Sequence, residues 1–102
     1  ACDLRIAVPS ANFFYPVMRL GYRPQPSDPA RLAALIGPSR ARMILLAAQR
    51  IDAETALAWG VIDRICAPEA LTDTAMSLAE AALAADPGHV MALKRMTNGD
   101  KP

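Results

Sequence analysis

The side chains that could do chemistry in this sequence are few. His89 is the one histidine, so neither a histidine-based metal site nor a serine triad has a second member to recruit. It opens a predicted helix beside Gly88, where it reads as a solvated or capping residue, because a general base needs a partner to orient it. Glu54, Glu69 and Glu80 fall in first turns or on outer faces of predicted helices, where carboxylates favour the helix dipole or face water. Cys2 and Cys66 are far apart and in no ligand spacing, which predicts buried free thiols and a reducing cytoplasm rather than a bridge or a metal site. The five glycines form no G-x-G array that could cradle a phosphate. What remains lies around one loop. Arg19, Arg23 and Arg31 could hold a phosphate or carboxylate if they converge, and are otherwise plain surface cations. Tyr15 and Tyr22 could donate hydrogen bonds in a pocket, or simply pack beside prolines.

The elements that would position these residues can be read from period and punctuation. Leu4, Ile6 and Val8 alternate with Arg5 and Ala7, the pattern of a short strand burying the first set, and Pro9-Ser10 stops it. Ala11 to Tyr15 is a second short strand or an extended loop with Phe13 and Tyr15 on one face. From Pro16 to Asp28, Gly21, Pro24, Pro26 and Ser27 exclude a long regular element and leave a shaped loop. Asp28 followed by Pro29 predicts a capped helix start, with Leu32, Leu35 and Ile36 as its apolar face. Gly37 ends that helix and Pro38 starts another, whose Met43, Ile44, Leu46 and Ala47 oppose Arg40, Arg42 and Arg50.

The most legible stretch runs from Ile51 to Cys66. Asp52 caps a helix carrying Ala53, Ala56 and Leu57, Gly60 ends it in the left-handed conformation, Trp59 wedges the corner, and a strand spans Val61 to Cys66. The spacing of Leu71, Ala75, Leu78 and Ala82 predicts the longest helix from Pro68 to about Ala85, and Asp86-Pro87-Gly88 opens a last one that dissolves at Thr97, Asn98, Gly99 and Asp100. The sum is mostly helix with two or three short strands.

With 102 residues, 53% hydrophobic and 21% charged, the chain is one domain or part of one and should fold. Net charge is +1 with dispersed basic residues, so nucleic acid is not an expected partner. No apolar run reaches the roughly twenty residues of a membrane span, so none is expected there either. Ala1 is not a methionine and leads directly into strand-like sequence, from which a piece of a longer protein is expected.

Segments in register then supply what spacing does not. Ala1-Cys2-Asp3-Leu4-Arg5-Ile6-Ala7, Ala11-Asn12-Phe13, Leu20-Gly21, Arg31-Leu32, Ile36-Gly37-Pro38-Ser39-Arg40-Ala41, Ile51-Asp52-Ala53-Glu54-Thr55-Ala56 and Trp59-Gly60-Val61-Ile62 closely resemble the second half of the crotonase, or enoyl-CoA hydratase/isomerase, family. The resemblance reaches to about Met96. It implies an α/β fold of ββα spiral turns, with residues 1–27 ending the spiral core and forming an acyl-pocket loop, and 28–102 a helical region that makes homotrimers or hexamers. It also implies an acyl-CoA substrate, with coenzyme A entering as part of that substrate and no further cofactor, and two backbone N–H groups that stabilise an enolate oxyanion. Family hydratases add two glutamates that manage a water and a proton.

This sequence departs from that pattern. The first glutamate and both oxyanion donors belong upstream of the Cys2-Asp3 motif, and the second glutamate falls on Val17, which can neither accept nor give a proton. The family's glycine-rich turn is here Pro24-Gln25-Pro26-Ser27-Asp28-Pro29. The expectation is therefore part of an acyl-CoA lyase or isomerase, inactive alone, with Tyr15, Pro16, Val17, Leu20 and Gly21 lining the acyl pocket and no catalytic residue among the matched positions. The alternative is a non-catalytic packing and oligomerisation module derived from the same family.

Overall fold

A computed structural model describes residues 2–21 and 23–98; Ala1, Tyr22, Gly99, Asp100, Lys101, Pro102 and the Val17 side chain lie outside the described residues, and with them the expectations placed on Tyr22, on the Val17 side chain and on Gly99 and Asp100. The chain forms two compact units, residues 1–71 and 72–102.

In the first unit, β1 (Ile6–Ala7), β2 (Asn12–Phe13), α1 (Val17–Leu20), α2 (Asp28–Ile36), α3 (Pro38–Leu45), β3 (Ile51–Asp52), α4 (Ala53–Trp59) and β4 (Arg64–Ile65) follow in order. A 3-10 turn at Pro68–Ala70 leads into α5 (Leu71–Ala84), and α6 (Pro87–Thr97) completes the described chain. β1 pairs in parallel with β4, Ile6 opposite Arg64 and Ala7 opposite Ile65. β2 pairs antiparallel with β3, Asn12 opposite Asp52 and Phe13 opposite Ile51.

The core of this unit is Ala7, Ile36, Ala41, Ile44, Ile51, Ala56 and Ile62, with Phe13, Tyr15, Leu32, Trp59 and Ile65 packed partly against it. Ala53 and Ala56 are fully inaccessible, and with a methyl as the whole side chain they let α4 sit close to its neighbours. In β1 the buried residue is Ala7, whereas Leu4, predicted to face inward, is 55% exposed; the phase of this strand is the reverse of the expected one because Ala7, not its bulkier neighbours, joins the cluster with Ala56 and Ile62.

Helix boundaries follow local chemistry. Asp52 accepts a 2.8 Å hydrogen bond from the Thr55 amide, capping α4, and this bond holds its carboxyl below the ordinary 3.8. Gly60, at φ 90 and ψ 12, ends the helix, and the Ala56 carbonyl accepts from the amides of Gly60, Val61 and Ile62 as the chain turns back. Asp86 likewise caps α6 through the Gly88 amide at 2.7 Å. Pro38 follows Gly37, whose φ of 91 lets the chain break direction between α2 and α3. At α2 the expected cap is corrected: Ser27 is the capping position and Asp28 lies within the helix, its carboxylate engaged elsewhere. The start of β4 is clasped to the residue before β1. The Arg5 amide donates to Asp63 Oδ2 at 2.8 Å, the Asp63 amide donates to the Arg5 carbonyl at 2.8 Å, and the Arg5 guanidinium donates to the Val61 carbonyl at 2.6 Å.

The second unit holds most of α5 and all of α6. Neither helix buries a residue, and Met76, Leu83, Met91, Leu93 and Met96 are exposed.

Candidate functional site

The loop between β2 and α2 is more ordered than its proline content suggests. Residues Val17–Leu20 turn once as α1, with the Leu20 amide donating to the Pro16 carbonyl at 3.0 Å. At the far end the Asp28 amide donates to the Gln25 carbonyl at 3.0 Å, so a turn delivers the chain into α2. The ends of the loop are joined by the Tyr15 hydroxyl, which donates to Asp28 Oδ2 at 2.7 Å. Bonding to this carboxylate raises the Tyr15 pKa above its ordinary 10.0, since the bond needs the phenolic proton. Asp28, expected to cap a helix, thus fixes a tyrosine instead, a contact between residues thirteen apart that local spacing does not reveal.

A cavity of about 460 Å3 opens beside this loop, lined by Phe14, Pro16, Arg19, Ala47, Ala48, Gln49 and Arg50. Of the expected pocket residues, Pro16 lies in its wall; Tyr15, Leu20 and Gly21 are not among the described lining residues, and Leu20 is 61% exposed. The Arg50 guanidinium stacks over the Phe14 ring at 4.0 Å and donates to Asn12 Oδ1 at 3.0 Å. Ala48 takes a φ of 52, a left-handed conformation held between the Ala47 amide bonded to the Arg42 carbonyl and the Gln49 amide bonded to the Met43 carbonyl. Arg19 is the member of the expected arginine trio in this wall; Arg23 and Arg31 are exposed and not among its lining residues.

The other reactive types stand as spare parts. His89 and Glu54, Glu69 and Glu80 are exposed on helix surfaces or turns. Cys2 and Cys66 are free thiols, but neither is fully buried: Cys2 is exposed because it precedes the first strand, and Cys66 is partly covered at the end of β4. No group of three or more metal-ligating side chains occurs among the described residues. Among the described residues, no helix is long and apolar enough to cross a membrane.

Comparison with known proteins accounts for this architecture. The profile of the enoyl-CoA hydratase/isomerase family matches residues 1–101. The chain is 33% identical over 96 residues to the carnitinyl-CoA dehydratase of Citrobacter koseri, covering 94% of this chain and 37% of the relative. It is 33% identical over 98 residues to the short-chain-enoyl-CoA hydratase of Clostridium acetobutylicum, covering 96% and 38%. It superposes on the crystal structure of an enoyl-CoA hydratase/isomerase from Pseudoalteromonas atlantica T6c with a TM-score of 0.87 at 28% identity, over 96% of this chain and 40% of that one. The chain belongs to the enoyl-CoA hydratase/isomerase, or crotonase, family and has the corresponding fold. It spans under half the length of the relatives it matches.

Proposed function

We propose that this chain serves, within a longer protein, in acyl-CoA chemistry that proceeds through a stabilised enolate. The observation that carries the reading is the in-register family match over residues 1–101, together with relatives whose names specify acyl-CoA dehydration and hydration. In this reading Tyr15, Pro16, Val17, Leu20 and Gly21 form part of the acyl wall, residues 1–27 close the spiral core, and 28–102 form the helical region. The oxyanion donors come from sequence outside the matched segments, coenzyme A is part of the substrate, and no further cofactor is needed. Free thiols at Cys2 and Cys66 favour a cytoplasmic setting.

Val17 at the family's acid position steers the chemistry away from two-carboxylate hydration and toward isomerisation. A site lacking one carboxylate can still hold an enolate in an oxyanion hole, but it has no second group to manage the attacking water. The test is a calorimetric titration of a medium-chain acyl-CoA into the protein expressed from its natural reading frame, followed by assays for double-bond migration and for hydration. Binding with isomerisation and no hydration supports the reading; no binding at all overturns it. A chain tested alone, without oxyanion donors, is expected to be inactive.

A second reading is favoured by the exposed Met76, Leu83, Met91, Leu93 and Met96 of the second unit. Where such side chains form a contiguous patch, that patch is a surface for a partner to cover, and a homotrimer or hexamer built on it would serve packing whether or not catalysis occurs. Sedimentation velocity showing a monomer over a broad concentration range would sink that reading.

A further inference from the structure

The cavity between the β2–α1 corner and the turn preceding β3 has features that the acyl-CoA reading does not use. Its described lining includes two guanidinium groups, Arg19 and Arg50, and no carboxylate. Arg50 is held in place from two sides, by the Phe14 ring at 4.0 Å and by Asn12 Oδ1 at 3.0 Å. That fixes the planar fork while using one of its five N–H groups in the Asn12 bond. Arg19 makes no ion pair with any described residue. The same lining includes Ala48, whose left-handed φ of 52 is the one positive value at a non-glycine residue among those described. A strained backbone residue held by its neighbours at the rim of a cavity is a common mark of a functional site. The volume, about 460 Å3, lies in the range of roughly 300–1,000 Å3 in which small-molecule sites occur.

We propose that this cavity is a binding site for a small oxyanion, a phosphate or carboxylate group, gripped by the pre-positioned Arg50 fork and completed by Arg19. A guanidinium already ordered by stacking loses little rotamer freedom when an anion arrives, and the absence of a carboxylate in the described lining leaves its charge to the ligand. The inference rests on the geometry of the first unit alone and stands independently of the acyl-CoA reading.

The test is an NMR titration of the protein from its natural reading frame with inorganic phosphate and, separately, acetate, each against sodium chloride at matched ionic strength. The expected result is saturable shifts of the Ala47, Ala48 and Gln49 amides and of the Arg19 and Arg50 side-chain N–H signals. The anion that saturates at lower concentration identifies the preferred class. R50Q should weaken binding at least tenfold. Because Arg50 also packs on Phe14, R19Q provides the cleaner variant: its exposed side chain can change without disturbing the fold, and affinity should fall severalfold. Shifts that track ionic strength, fail to saturate with both anions, or persist unchanged in R19Q would overturn the proposal.

Discussion

Tyr15 and Asp28 close the proline-rich loop: the phenolic hydroxyl at the end of the β2 segment donates 2.7 Å to the carboxylate in the first turn of α2. One side-chain bond thus holds the twelve-residue segment between them to a single path, and its loss should be felt along the loop before it is felt in the core.

Y15F should expose the loop to trypsin at Arg19 and Arg23 several times faster than in the parent, while overall secondary structure is unchanged. D28N retains an acceptor oxygen and should fall between the two. The pH dependence has a definite sign. The folded-state pKa of Tyr15 is raised, so the stabilisation is complete below the ordinary value of 10.0 and is lost as pH rises through the higher folded value. Proteolysis that is insensitive to Y15F would show that the prolines alone hold the loop.

Asp52 works in the opposite direction. Its carboxyl is held below the ordinary 3.8 by the Thr55 amide, so its contribution is present above that value and disappears as pH falls through the lowered one. D52A should lower the melting temperature at neutral pH, D52S should restore most of the difference, and the gap between D52A and the parent should narrow in acid. Thermal scans across that range check all three.

Gly60→Ala should cost about 1–2 kcal/mol in urea denaturation, from the left-handed backbone alone. Gly60 sits at φ 90, and a Cβ there would meet the Leu35 carbonyl oxygen at 3.5 Å, an ordinary contact. The penalty is one of conformation, so Gly60→Asn, which tolerates that region better, should cost less.

The core should respond asymmetrically to volume. Ile44→Ala removes buried methylenes and should cost about 2–5 kcal/mol. Ala56→Val adds bulk where no space is exposed, and about 1–3 kcal/mol is expected from overpacking. Leu46→Ala, at an exposed position, should stay within about 0.5 kcal/mol. Equilibrium unfolding of the three variants ranks them, and a neutral Ala56→Val would contradict the close approach of α4.

What could be read in advance was what local chemistry decides. Pro29, Pro38, Gly37, Gly60, Asp52 and Asp86 mark helix ends within a few residues, and each does so in the folded chain. Pairings between distant segments were harder. Strands of two residues have no period to detect, so the union of β2 with β3 left no signature, and Ile51 was read only as the residue before a cap. The phase of β1 was misjudged because alternation alone does not say which set meets the core. The cavity shows the same limit: Pro16 and Arg19 lie on the loop that drew notice, but their companions from Ala47 to Arg50 lie some thirty residues on, where Arg50 read as part of a solvated helix face.

The three amides gathered on the Ala56 carbonyl hold the corner after α4 through the backbone alone. Every residue type offers that oxygen, so the bonding there places no demand on side-chain chemistry beyond small size at position 56 and a permissive backbone at position 60. Sequence drift can proceed around such a corner without unmaking it. Substitutions in the loop from Pro16 to Asp28 can therefore accumulate while the corner after α4 keeps its form.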